Sequence, residues 1–74
     1  MEIGKVYVQR HTDIDLYCTP TKQLKNGGYQ GLVFEHYNDR FSGKAKNKSL
    51  SGWYPAPVLD SNPPKQVLAK LGLT

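Results

Sequence analysis

The chain has 74 residues and a net charge of +4, which makes it one small basic domain (1–74) with little apolar area to spare. Its single cysteine, Cys18, excludes an internal disulfide, and no CxxC or HxxxH pair joins it to His11 or His36, so neither a structural metal nor a cofactor is expected. No apolar run approaches the roughly 20 residues of a membrane span.

From the N-terminus, Lys5 to Arg10 alternates. Val6 and Val8 point one way, Lys5, Tyr7 and Gln9 the other, as in a half-buried strand. His11-Thr12-Asp13 reads as a turn. Ile14, Leu16 and Cys18 then share a face, with Asp15 and Tyr17 opposite, in a second strand that Thr19-Pro20-Thr21 is expected to interrupt, since proline gives no ladder donor. Asn26-Gly27-Gly28 is the clearest turn signal, because both residue types tolerate positive φ. Tyr29 to Tyr37 is the best strand in the chain. Leu32, Phe34 and His36 share one face, and Gly31, Val33, Glu35 and Tyr37 the other. Both faces are partly apolar, which predicts a central position.

After the turn residues Asn38-Asp39 and Ser42-Gly43, Lys44 to Leu50 is polar and reads equally as a strand or a loop. The prolines of Gly52-Trp53-Tyr54-Pro55-Ala56-Pro57-Val58-Leu59 restrict that segment to an edge, a turn or a short 3₁₀ turn. Strands and turns thus occupy residues 1–60. A helix is expected over 62–72, with Asn62 as N-cap, Pro63 at the first helical position, and Val67, Leu68 and Leu71 as its buried stripe. Gly72 is placed to end it in the left-handed conformation, with Leu73 folding back. The expected fold is mostly β: a small barrel or a strongly bent antiparallel sheet, with one short C-terminal helix.

Two stretches carry a family resemblance. Tyr29-Gln30-Gly31 behind Asn26-Gly27-Gly28, and Gly52-Trp53-Tyr54-Pro55-Ala56 running to Val58-Leu59, resemble the landmarks of Src-homology-3-like barrels, with a vaguer likeness at Asp13-Ile14-Asp15-Leu16-Tyr17. The resemblance covers under half the chain and implies a small β-barrel. The family's Ala-Leu-Tyr-Asp-Tyr opening is replaced by Lys5-Val6-Tyr7-Val8-Gln9, and the asparagine-tyrosine after the proline by Pro57-Val58. Those residues help form the proline-peptide groove of the eukaryotic members, so the resemblance does not extend to proline-peptide binding.

The strongest functional signal is Arg40-Phe41-Ser42-Gly43-Lys44-Ala45-Lys46-Asn47-Lys48, which carries four positive charges and no negative one. An extended segment puts Lys44, Lys46 and Lys48 on one side, where each can neutralise a phosphate and release counterions. Tyr37, Phe41 and Trp53 are candidate stacking faces for bases. The plainer reading is a solvated edge whose lysines prevent sheet-to-sheet aggregation. Cys18 follows Ile14 and Leu16 on an apolar face and reads as a buried, inert thiol. Asp13 and Asp15, read on one strand face, could chelate a cation or act as paired carboxylates, but two carboxylates make a thin site and a solvated turn is the better reading. His11 and His36 have nothing like a triad around them, and no enzymatic activity is expected.

The leading expectation is therefore a non-enzymatic nucleic-acid-binding module without strong sequence preference. The alternative is a protein-interaction module, an inhibitor or adaptor that binds an acidic host protein; a third reading is a self-associating homo-oligomer. The lone thiol and the absence of a signal-peptide pattern point to the cytoplasm. The opening methionine and short closing helix fit a complete small reading frame of the kind common in phages and other mobile elements.

Overall fold

The computed structural model describes residues 1–37, 40 and 43–74. Five antiparallel strands form one sheet: β1 (Tyr7–Arg10), β2 (Ile14–Gln23), β3 (Tyr29–Tyr37), β4 (Lys46–Ser49) and β5 (Val58–Leu59). The helix α1 (Lys65–Lys70) follows. The strand order is β4-β3-β2-β1-β5. The first four strands run as a meander, and the chain then returns to lay β5 beside β1. The sheet is not closed into a barrel, and β4 and β5 are its two edges.

The turns follow from their residues. His11 N–H donates to the Ile14 carbonyl at 2.9 Å, closing the β1–β2 hairpin. At the β2–β3 turn Gly27 adopts φ +86°, a region that costs other residues steric energy, while the Asn26 side chain accepts from Gly28 N–H at 2.9 Å.

The expected break at Thr19-Pro20-Thr21 does not occur. β2 runs through Pro20, which stands opposite Gly31, and the ladder slips by a bulge between Pro20 and Lys22. The reason is where the missing donor would point. Within a strand a residue's N–H and C=O face the same neighbour. The Pro20 carbonyl accepts from Gly4 N–H at 3.2 Å, on the side away from β3. The absent N–H therefore costs the β2–β3 ladder nothing.

Strand register builds the interior as two rows. Val8, Tyr17 and Phe34 stand opposite one another across β1, β2 and β3. With Val6 they meet Val67 and Leu71 of the helix in the main core. The adjacent row, Tyr7, Cys18 and Val33, faces the other side of the sheet. There Cys18, Val33 and Leu50 form a second cluster, covered by Tyr7, Tyr29 and Trp53. The main core thus lies on the Tyr17 side of β2, while Ile14 and Leu16 are only half-buried. Gln9 is also buried. Its Nε2 donates to the Pro55 carbonyl at 2.6 Å, tying β1 to the segment before β5, and its Oε1 accepts from His11 Nε2 at 2.8 Å.

The helix is shorter than the expected 62–72 and starts later. Asn62 is not its N-cap: Asn62 N–H donates to Asp60 Oδ1 at 3.1 Å in a turn ahead of the helix. Pro64, with φ −58° and ψ 146°, occupies the cap position without a side-chain cap bond. Consecutive prolines explain this, since the residue before a proline is pushed out of the helical region. Pro63 therefore cannot open the helix, and the first turn begins at Lys65. At the C-terminus the helix ends at Lys70, and the left-handed glycine is as expected while the folding back of the Leu73 side chain is not. Gly72 takes φ +74°, and Leu73 and Gly72 N–H groups return to the Leu68 and Ala69 carbonyls at 2.9 and 3.2 Å, a Schellman cap. Leu73 itself stays exposed.

Cys18 is fully buried, and burial pushes its thiol up from 9.0 to about 11. An unfolded chain releases this proton at lower pH than the folded protein does. The contribution to stability is therefore complete below pH 9 and is lost as pH rises toward 11, by about 2 kcal/mol. Urea unfolding across that range should show the decline in the wild type, and Cys18→Ala should remove that part of the slope.

Candidate functional site

Lys46 and Lys48 are alternate residues of β4, standing opposite Val33 and Gly31 of β3. Both lysines therefore face the Val33 side of the sheet, away from the helix. Along β3 the same alternation brings Val33, Glu35 and Tyr37 to that face. An open cleft of about 230 Å³ lies there, lined by Lys44, Lys46 and Lys48 on one side and Glu35 and Tyr37 on the other, with Val33 and Gly43 contributing. Lys44 precedes the strand and still reaches the cleft. The predicted convergence of the three lysines is what the chain forms.

The electrostatics of the cleft are simple. The ion pairs among the described residues belong to Arg10, which contacts Asp15 at 3.2 Å and Asp60 at 4.0 Å. Lys44, Lys46 and Lys48 are exposed, and none takes part in an ion pair among those residues. Successive lysines of an extended strand stand about 6.7 Å apart, close to the repeat of phosphates in an extended single strand. Among the described residues the carboxylate lining the cleft is Glu35, which accepts a hydrogen bond from the Tyr37 hydroxyl at 3.0 Å. That bond and the carboxylate's charge raise the Tyr37 phenol above its ordinary value. Tyr37 is 51% exposed, whereas Phe34, which also lines the cleft, is buried, so among the described residues Tyr37 is the lining aromatic open to a ligand.

The remaining predicted residues lie apart. Arg40 is exposed, and its backbone N–H donates to the Tyr37 carbonyl at 2.8 Å, which keeps it beside Tyr37 in the chain but outside the cleft lining. Phe41 lies outside the described residues. Trp53 is half-buried against the second cluster, and its Nε1–H donates to the Ser49 carbonyl at 3.2 Å. Leu50 N–H faces β3, where it donates to Tyr29, so the Ser49 carbonyl points to the open side of β4. Trp53 therefore caps part of an edge strand, one way of blunting an unpaired edge. Trp53→Phe keeps an aromatic ring but removes this donor and part of the indole area packed on the second cluster. It should lower stability by about 1 kcal/mol, read as a reduced urea midpoint, and leave ligand affinity within about twofold.

Glu35 is the member of the cleft that charge reasoning passed over. The signal was present in the alternation of β3, which already placed it on the Tyr37 face. Asp13 stands in the β1–β2 turn, in line with the turn reading of His11-Thr12-Asp13, and Asp15 is held by Arg10, so the two do not act as a carboxylate pair. Among the described residues no three His, Cys, Asp or Glu side chains gather where they could hold a metal ion, and no helix is long and apolar enough to cross a membrane. Comparison with protein-family models, curated proteins and solved structures finds no match.

Proposed function

We propose that this chain is a non-enzymatic binding module that grips single-stranded nucleic acid by its phosphates. Lys44, Lys46 and Lys48 supply the charge and Tyr37 the stacking face. The observation that carries the reading is their meeting in one cleft, with the three ammonium groups unopposed by ion pairs among the described residues. A solvated, purely protective lysine edge has no need of an exposed aromatic ring across a cleft from it. A single strand fits better than a duplex because a base must be unstacked to reach the Tyr37 ring.

The test is a fluorescence titration of the wild-type protein against single-stranded RNA, single-stranded DNA and duplex DNA at low salt. Micromolar or tighter binding of a single strand, exceeding that of the duplex, is the expected result. No binding to any of the three at low salt would overturn the reading in favour of an acidic protein partner.

A further inference from the structure

The cleft holds one group that a pure phosphate grip does not need. Glu35 places a carboxylate in the same cleft as the lysines, where it weakens the attraction for every phosphate. It is also oriented: the Tyr37 hydroxyl donates to Oε2 at 3.0 Å, so carboxylate and ring are tied together on the same wall. A carboxylate accepts through two oxygens and about four lone-pair sites. One bond from Tyr37 therefore leaves both oxygens able to accept from a ligand.

The Watson–Crick edges of the four bases differ in what they offer such a group. Guanine presents two adjacent donors, N1–H and the N2 amine, which match the two oxygens of a carboxylate. Adenine and cytosine each present one amine beside a ring nitrogen whose lone pair repels the carboxylate. Uracil and thymine present one N–H between two carbonyls. At about 230 Å³ the cleft is smaller than the roughly 300–1,000 Å³ of pockets that enclose drug-sized ligands, a size suited to a single base.

We propose that the cleft selects guanine at one position of the bound single strand: the base stacks on Tyr37, its N1–H and N2 amine donate to Glu35, and Lys44, Lys46 and Lys48 hold the flanking phosphates. This rests on the single-strand reading above and adds a base preference to it. The inosine base, which lacks the N2 amine and keeps N1–H, isolates the second donor.

The experiment is a titration of the full chain with pyrimidine octamers carrying one central guanine, inosine, adenine or cytosine, repeated with Glu35→Gln. Glu35 is exposed, so the variant should fold, and the far-ultraviolet circular dichroism of each sample checks that it does. The wild type should prefer the guanine octamer about tenfold over the other three. Glu35→Gln should bind all four at least as tightly as the wild type binds cytosine, with the guanine preference reduced to about twofold. Equal affinity for guanine and inosine, or a preference that survives Glu35→Gln, overturns the base assignment and leaves the phosphate grip standing. Failure of every octamer to bind at low salt overturns both.

Discussion

Gly31→Val should abolish the fold rather than weaken it. Gly31 is buried near the start of β3, opposite Pro20 and beside Lys48 of β4. A Cβ added at this position would run into the Thr19 carbonyl oxygen and lie 2.8 Å from the Pro20 Cα. Both obstacles are backbone of the neighbouring strand, so no side-chain rotation relieves the clash. Overpacking a core by a few carbons costs about 1–3 kcal/mol when side chains can move, and here the β2–β3 ladder itself must part. A domain of this length has a total stability of only about 4–11 kcal/mol. Circular dichroism should show loss of the β signal at 25 °C. Gly31→Ala brings the same Cβ against the same backbone and should lose the β signal as well. Gly27→Ala is the control: the space around it is open, and only its positive φ resists the change, at about 1 kcal/mol.

The second large effect concerns binding. Reversing Lys44, Lys46 and Lys48 to glutamate should reduce affinity for a single-stranded oligonucleotide by at least a hundredfold at low salt, because three counterion-releasing contacts become three repulsions. Net charge alone would also fall, so the informative comparison is Lys5, Lys22 and Lys25 reversed together. These lysines are equally exposed, and the variant has the same net charge. It should lose about tenfold or less, through long-range attraction only. Neither variant should be less stable by more than about 1 kcal/mol, since Lys44, Lys46 and Lys48 have no ion-pair partner among the described residues and surface charges contribute little. Equal losses in the two variants would mean that net charge, and not the cleft, governs binding.

How much of this was legible in the sequence depended on the kind of signal. The alternation of Tyr29 to Tyr37 gave the strand limits and both faces, and hence the wall that carries Val33, Glu35 and Tyr37. The lysine spacing predicts a shared side, which β4 provides for Lys46 and Lys48, while Lys44 reaches the cleft from the segment before it. The break placed at Pro20 was wrong because the effect of a proline depends on which neighbour its missing N–H would face, and that is a tertiary fact. Asn62 and Pro63 looked like a helix start taken singly, but Pro64 behind them forbids it, and the sequence did carry that information. Trp53 was offered as a stacking face on type and proximity alone. Its donor is used by the Ser49 carbonyl, a contact that depends on how the chain turns after β4. Glu35 is on the face that the alternation of β3 predicts, but its part in the cleft depends on β4 pairing beside β3, which charge spacing along the chain does not show. The turn signals allow a small barrel or a bent open sheet alike, because they do not say whether β4 and β5 meet. Here they are the edges of an open sheet.

The most direct test of the lysine cleft is the salt dependence of single-strand binding, measured for the wild type, the cleft variant and the charge-matched control. Three phosphate contacts contribute about −2 to the slope of log K against log salt concentration for a single strand. The slope should be at least this steep in the wild type, nearly as steep in the control, and shallower by about 2 in the cleft variant. A slope unchanged by loss of Lys44, Lys46 and Lys48 would contradict the assignment of phosphate binding to this cleft.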